Sequence, residues 1–373
     1  MARTRTHDAC PGALHVHQAA DGGMARVRLP GGMLSAAQLA TLARVSAAFG
    51  SGTLELTARG NVQIRGIRSG EAATALADAL AQAGLLPSAT HERVRNIVAS
   101  PLSGRAGGRA DVRGWVSELD AAMCAEPALA SLPGRFWFGV DDGRGDVAGL
   151  GADVGVHVVD GGAALVVARR DTGVRLARPD VVPALVELAA KFVALRGNAW
   201  RITELDDLAV LLPGVEPGGA FPPVSTPPVG WISQDDGRTA LGAVPPLGVL
   251  PARVAERLAA IGAPLVVTPW RSVLVCDLDE QTADAAVREL APLGLVFDAD
   301  SPWLSVSACT GSPGCAHSAA DVRADAAAAA RAGDAGAAGH RHFVGCERAC
   351  GSPLLGEVLV AGAEGYRVLR APA

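Results

Sequence analysis

The sequence predicts an α+β fold duplicated about a pseudo-twofold axis, with two ferredoxin-like half-domains, each followed by a larger α/β unit. Three observations predict it. The order strand, helix, strand, strand, helix is written twice, once before residue 90 and again between 231 and 299. Residues 54–67, LELTARGNVQIRGI, lie without gaps on 265–278, LVVTPWRSVLVCDL, with Leu, Thr and the apolar pattern in step. A Pro/Gly-rich stretch at 212–230 separates the copies. It reads as an extended linker, because proline neither continues a helix nor donates within a central strand. The expected divisions are 1–90 (first half-domain with an N-terminal arm), 91–211 (first α/β unit), 212–230 (linker), 231–299 (second half-domain) and 300–373 (a cysteine-bearing α/β unit).

The elements follow in order. A strand over Ala25–Leu29 meets a Gly-Gly turn, and Ser35 is placed to cap a helix in which Leu39, Leu42, Val45 and Phe49 recur at helical spacing until Gly50. Two β-like runs, Thr53–Thr57 and Val62–Ile67, flank the turn Arg59-Gly60-Asn61. A helix over Glu71–Ala83 places Leu76 and Leu80 on one face. In the second copy, a strand at Ala240–Val244 precedes a helix at Pro251–Ile261. Runs at Leu265–Thr268 and Ser272–Cys276 lead to a helix over Asp279–Ala291.

Composition narrows the function. The 373 residues are 49% hydrophobic and 19% charged with net charge −5, a globular balance with no long basic stripe, so nucleic acid is not an expected partner. No apolar run reaches the roughly 18–20 residues of a membrane span. The opening MARTRTHDACPGALHVHQ has no apolar core of a secretory signal. These features predict a cytoplasmic protein away from membranes, in which the seven cysteines stay reduced.

Four of the cysteines form a pattern. Cys309 and Cys315 are separated by TGSPG, and Cys346 and Cys350 by ERA, all in Gly/Pro-containing turns. Such turns let thiols converge and leave N–H groups free to bond cluster sulfur. The Ala-rich segment Ala319–Ala332 predicts a helix whose N-terminus points towards the first pair. Four thiolates suit a [4Fe–4S] cluster or structural zinc; zinc prefers spacers of about two to four residues, so the spacing favours the cluster. Cys276 and Cys124 read as buried filler. His15, His17 and Cys10 read as part of an arm folded over a groove, or as a loose metal site. His342 reads as a core residue or a proton donor, and Trp137, Trp200, Trp231, Trp270 and Trp303 as core, or as surfaces for a flat ring system.

The cysteine pattern resembles the cluster motif of the nitrite/sulfite reductase superfamily. Three further segments in the same order agree: Thr57-Ala58-Arg59-Gly60-Asn61-Val62-Gln63 is similar to T-x-R-x-x-x-Q, Arg95-Asn96-Ile97 to R-N-[VI], and Leu132-Pro133-Gly134-Arg135-Phe136 to L-P-[RG]-K-F. Within the superfamily, Ala9-Cys10-Pro11-Gly12, Val27-Arg28-Leu29-Pro30-Gly31-Gly32 and SACTGSPGCA (307–316) resemble the precorrin-3B synthase branch.

The resemblance implies the nitrite/sulfite reductase fold. It implies a [4Fe–4S] cluster on Cys309, Cys315, Cys346 and Cys350, and a monooxygenase that hydroxylates precorrin-3A at a bridging carbon with dioxygen and forms a γ-lactone. It also implies that Arg59, Asn61, Gln63, Arg65, Arg95, Asn96 and Arg135 line a tetrapyrrole groove, where arginine forks suit the acetates and propionates. The electrons come from an external reductase or a ferredoxin-like donor and pass to bound substrate or to a second, non-haem iron, which no 2-His-1-carboxylate pattern places. The alternative is a siroheme-dependent sulfite or nitrite reductase. Against it, Arg135-Phe136-Trp137 lacks the second cation of K-F-K. The turn GCERACGSP also departs from the precorrin branch's usual G-C-A-K-G-C-A at Glu347 and Arg348.

Overall fold

The computed structural model describes residues 10–215, 218–224, 226–334 and 339–371. The first half-domain runs β1 (His17–Ala19), β2 (Gly22–Val27), β3 (Met33–Leu34), α1 (Ala36–Phe49), β4 (Thr53–Leu56), β5 (Val62–Ile67) and α2 (Gly70–Gln82). Ser35 caps α1 in a reciprocal box with Gln38, which satisfies two N–H groups at the helix start. Leu39, Leu42 and Val45 form its buried stripe, and each such side chain removed from water stabilises the fold by about 1.5–3 kcal/mol.

The first α/β unit follows as β6 (Ile97–Ala99), α3 (Arg113–Ala125), β7 (Phe138–Asp141), β8 (Val154–Val159), β9 (Gly162–Val167), β10 (Arg170–Leu176) and α4 (Val181–Leu195). The second half-domain runs β11 (Gly230–Ser233), β12 (Thr239–Ala243), β13 (Val249–Pro251), α5 (Ala252–Ala260), β14 (Leu265–Val267), β15 (Val273–Leu278) and α6 (Glu280–Leu290). The last unit is β16 (Val306–Ala308), α7 (Val322–Arg331), β17 (Arg341–Val344), β18 (Glu357–Gly362) and β19 (Gly365–Arg370).

The duplication extends to the pairing. β6 and β7 are parallel, β7 and β8 parallel, β8 and β9 antiparallel. β16 to β19 repeat that sequence of orientations. Register sets Ile97 opposite Phe138 and Val306 opposite Arg341, so residues 97 and 306, and 138 and 341, are counterparts.

The half-domains also exchange strands, which the sequence reading did not foresee. The half-domain sheets have the orders β1-β2-β5-β4-β13 and β11-β12-β15-β14-β3. Each therefore ends on a short strand from the other copy. Strands of two or three residues carry no periodicity to read, and both follow Gly-containing turns, Pro30–Gly32 and Pro246–Gly248. The exchange places α1 against α5 in one apolar core that spans both copies. Elsewhere the expected elements shift at their ends by one to three residues. The described part of 212–230 forms no helix; it runs beside β10, where Gly218 N–H donates to Asp171 O (2.6 Å) and Phe221 N–H to Arg169 O (2.8 Å), before β11 begins.

Candidate functional site

The cysteines sit on the turns that leave the C-terminal ends of the adjacent parallel strands β16 and β17, the place where open α/β sheets form crevices. Cys309 N–H donates to Phe343 O (2.9 Å) and Cys315 N–H to Gly311 O (2.8 Å). Gly345 N–H points at Cys309 Sγ (3.4 Å). Gly345 has no room for a side chain, since a Cβ there would sit 1.7 Å from Ser318 Oγ. Gly311 combines a positive φ of 71° with close approach to Val322, the first residue of α7. The helix N-terminus thus lies against the first cysteine turn, with Asp321 capping it through Ala324 N–H. The expected helix start at Ala319 moves to Val322 because 319–321 pack back on the turn: Ala319 N–H bonds Gly345 O and Ser312 N–H bonds Ala320 O.

Burial pushes the Cys350 thiol above its ordinary range, and Cys309, Cys346 and Cys315 push it further, so the four sulfurs feel one another. Among the described residues no three cysteine sulfurs lie within 4.8 Å of one another. Thiolates on a single zinc, at about 2.3 Å each, would sit ~3.8 Å apart. Four cysteine donors on two adjacent turns can hold either zinc or an iron–sulfur group.

A row of polar side chains faces the cluster unit across the first half-domain sheet. Arg26 Nη2 donates to Gln63 Oε1 (2.8 Å), Gln63 Nε2 donates to Glu55 Oε2 (2.8 Å), and Arg323 on α7 reaches Glu55 Oε1 (2.7 Å). Arg65 is held by both oxygens of Asp21 and donates to Gly314 O (2.7 Å). One end of the row crowds its cations. Arg28 is 2% exposed and donates to the carbonyls of Pro11 and Arg93. Burial above all, then the charges of Arg26 and Arg59, lowers its pKa to about 9. Arg59 is lowered to about 10 by burial and then by Arg201 and Arg26. Among the described residues Arg28 Nη1 and Arg26 Nε are buried with no hydrogen-bond partner. Arg26, Arg28 and Arg59 thus form a cationic cradle of mutually repelling guanidinium groups, two of which keep an unbonded nitrogen.

The residues expected to line the groove divide. Arg59 lies in this cradle, where its Nη1 also donates to Gly134 O (3.1 Å). Gln63 and Arg65 belong to the polar row. Arg135 is exposed and lies over the Trp200 ring at 5.5 Å. Arg95 spends its fork on Asp120 (2.6 Å for both bonds). Asn61 accepts from Leu29 N–H and donates to Asn96, and Asn96 donates to the carbonyls of Gly134 and Phe136. These three lock the groove's wall together. The reading missed Arg26, Glu55, Arg201, Arg271 and Arg323; for Arg26 and Glu55 a polar side chain within a strand otherwise buried was the available signal, while the loop, turn and helix positions of the other three carried none.

His342 is fully buried, with Nε2 donating to Cys350 O (3.1 Å) and Nδ1 facing Ser307 Oγ (2.8 Å). Burial and Arg271 lower it to about 3, so it is a neutral brace rather than a charged donor. Trp137 packs with Val98, Val147 and Ala152, and Trp270 donates to Val224 O. Trp303 carries Arg331 over its ring, while Trp231 is exposed. His15 pairs with Glu92, and among the described residues His15, His17 and Cys10 form no group of close donors. Asp141, Asp142 and Asp146 do form one, but Asp141 already accepts from His157 and the N–H groups of Gly143, Gly145, Val147 and Ala148, and Asp142 pairs with Arg144. That set does not fit an open iron site.

Comparison with known proteins agrees with this architecture. The nitrite/sulfite reductase ferredoxin-like half domain matches residues 15–82. The NirA protein of Mycobacterium tuberculosis superposes with a TM-score of 0.77 at 21% identity, over 93% of this chain and 74% of that one, a likeness of fold. The chain therefore has the nitrite/sulfite reductase-like fold expected from its motifs, and proteins of that class bind iron–sulfur clusters and siroheme. Within the class it is similar to precorrin-3B synthase of Sinorhizobium, with 28% identity over 96% of this chain and 81% of that protein, so the resemblance read from the sequence holds. A ferredoxin–nitrite reductase of Leptolyngbya laminosa is 34% identical over 30% of this chain, a stretch that spans 23% of that enzyme. Among the described residues no helix is long and apolar enough to cross a membrane.

Proposed function

We propose that the chain is a cytoplasmic precorrin-3B synthase: it binds precorrin-3A in the groove between the first half-domain sheet and the cysteine turns and inserts one atom of dioxygen at a bridging carbon, with γ-lactone formation. The observation that carries this reading is the cationic cradle of Arg26, Arg28 and Arg59, in which Arg26 and Arg28 each keep a buried nitrogen without a partner, on the sheet that faces the cysteine turns. A substrate with several carboxylates supplies the acceptors those guanidinium groups lack. The similarity to precorrin-3B synthase over 96% of the chain supports the same substrate class.

A [4Fe–4S] group held by Cys309, Cys315, Cys346 and Cys350 would supply single electrons beside the groove. The chain's own residues do the rest of the described work. Arg28 and Arg59 bind carboxylates and fix the ring's orientation, Gly345 and His342 brace the thiol-bearing turns, and the Arg26–Gln63–Glu55–Arg323 row keeps the sheet in register with α7. Insertion of one oxygen atom consumes two electrons and two protons, and the second atom leaves as water. The electrons come from an external reductase or ferredoxin-like donor.

The test is turnover of anaerobically prepared holoenzyme with precorrin-3A, a reductant and isotopically heavy dioxygen. The expected product is a lactone carrying one heavy oxygen atom. Unchanged precorrin-3A, with sulfite or nitrite reduced instead, would overturn the proposal.

A further inference from the structure

Each of the two cysteine turns is gripped by a different half-domain, and both grips are arginines. Arg65 of β5 donates to Gly314 O (2.7 Å), the carbonyl just before Cys315. Arg271, in the turn between β14 and β15, donates to Gly351 O (2.6 Å), the carbonyl just after Cys350. Arg271 holds this pose from a left-handed backbone, φ 60°, and its counterpart in the first half-domain is Gly60, φ 64°. A side chain at this position of the turn carries backbone strain that glycine escapes, and the second copy bears it.

The two grips differ in charge. Arg65 is neutralised by a two-oxygen bond to Asp21. Among the described residues no carboxylate forms an ion pair with Arg271; Glu55 and the Cys309 sulfur act on it at longer range, and Arg323 opposes it. Resting on the reading of the cysteine turns as a cluster site, we propose that Arg271 is a positioning residue whose uncompensated charge sets the reduction potential of the cluster, while Arg65 is a neutral clasp for the other turn.

The chemistry is direct. Reduction adds one negative charge to the cluster, a cation beside a ligand turn favours the reduced form, and a cation already paired with a carboxylate does so much less.

The test is a redox titration of the purified, iron- and sulfide-loaded protein, followed by the paramagnetic signal of the reduced cluster. Arg271→Gln should move the midpoint to more negative potential, by the ~59 mV that a tenfold loss of reduced form represents in a one-electron couple. Arg271→Lys, which keeps the charge, should restore most of the shift. Arg65→Gln should leave the midpoint near the parent's and act on iron retention during dilution instead. Equal midpoints for the parent and Arg271→Gln, or equal shifts for Arg271→Gln and Arg65→Gln, would overturn the proposal while leaving the cluster reading intact. A parent protein without sulfide would overturn both. Should Arg271→Gln fail to fold, an unshifted midpoint in Arg271→Met would overturn the proposal in its place.

Discussion

The two half-domain sheets share strand order and register, yet their faces towards the α/β units have opposite chemistry. On the first sheet, Arg26, Glu55, Gln63 and Arg65 lie side by side. Gln63 and Leu274 are counterparts in the duplicated strands, and each pairs across to its neighbour, Arg26 or Gly242. The second sheet therefore carries Gly242 for Arg26, Val266 for Glu55, Leu274 for Gln63 and Cys276 for Arg65. Val266, Leu274 and Cys276 pack into an apolar cluster with Ala240, Met33 and Leu102. Burial pushes the Cys276 thiol up to about 11, which marks it as packing rather than a ligand.

The α/β units show the same split. Ser100 is the counterpart of Cys309 and Asp142 that of Gly345, and Asp142 N–H reaches Ser100 Oγ (3.1 Å) as Gly345 N–H reaches Cys309 Sγ (3.4 Å). One hydrogen bond is kept while the atom that could hold metal is replaced. The comparison teaches that duplication supplies two equivalent sheet faces and that side-chain chemistry keeps one polar and charged while the other becomes apolar core.

The largest effect should come from the cysteine turns. Cys315→Ser or Cys346→Ser should abolish iron and sulfide binding and lose turnover, whereas Ser100→Cys in the filled copy should gain neither; metal and sulfide analysis decides both. Next is the cradle. Arg28→Met should weaken substrate binding about 10–100-fold, the value of one charge-assisted bond or slightly more, while stability moves by less than about 2 kcal/mol because a desolvated, repelled charge goes with the lost bonds. Equilibrium binding and denaturant unfolding measure the two, and a large stability loss at unchanged affinity would assign Arg28 to the scaffold.

A smaller effect tests the apolar copy. Leu274→Gln places an amide where no partner waits and should cost about 1–3 kcal/mol, read from the denaturation midpoint. The smallest concerns Asp146 in the first unit's turn. Burial, with the charges of Asp141 and Asp142, pushes its carboxyl up to about 7 against the Ser100 hydrogen bond. The folded value lies above the unfolded value of about 4, so the stability is fully present below about pH 4 and is lost as pH rises to about 7. Asp146→Asn should therefore gain on the parent across that window, by on the order of 1–3 kcal/mol, in unfolding measured at both ends.

The duplication was legible because LELTARGNVQIRGI and LVVTPWRSVLVCDL keep their apolar positions in step, and the cysteine turns because their spacing is local. The exchanged strands were not, since Met33–Leu34 and Val249–Pro251 owe their place to partners in the other copy, far away in the chain. The arginines divided for a related reason. Motif position marks a residue near the groove, but only the fold shows that Asp120 takes the fork of Arg95 while Arg28 is left with an unbonded nitrogen. The contrast between the sheets was present in the aligned copies: Glu55, Gln63 and Arg65 stand opposite Val266, Leu274 and Cys276 at alternate positions.

The central claim, one working groove with a cluster at its cysteine turns, is tested most directly by iron, sulfide and zinc analysis of the anaerobically purified protein. The account predicts about four irons and four sulfides per chain, as a cubane requires, and no zinc. Zinc without sulfide would contradict it.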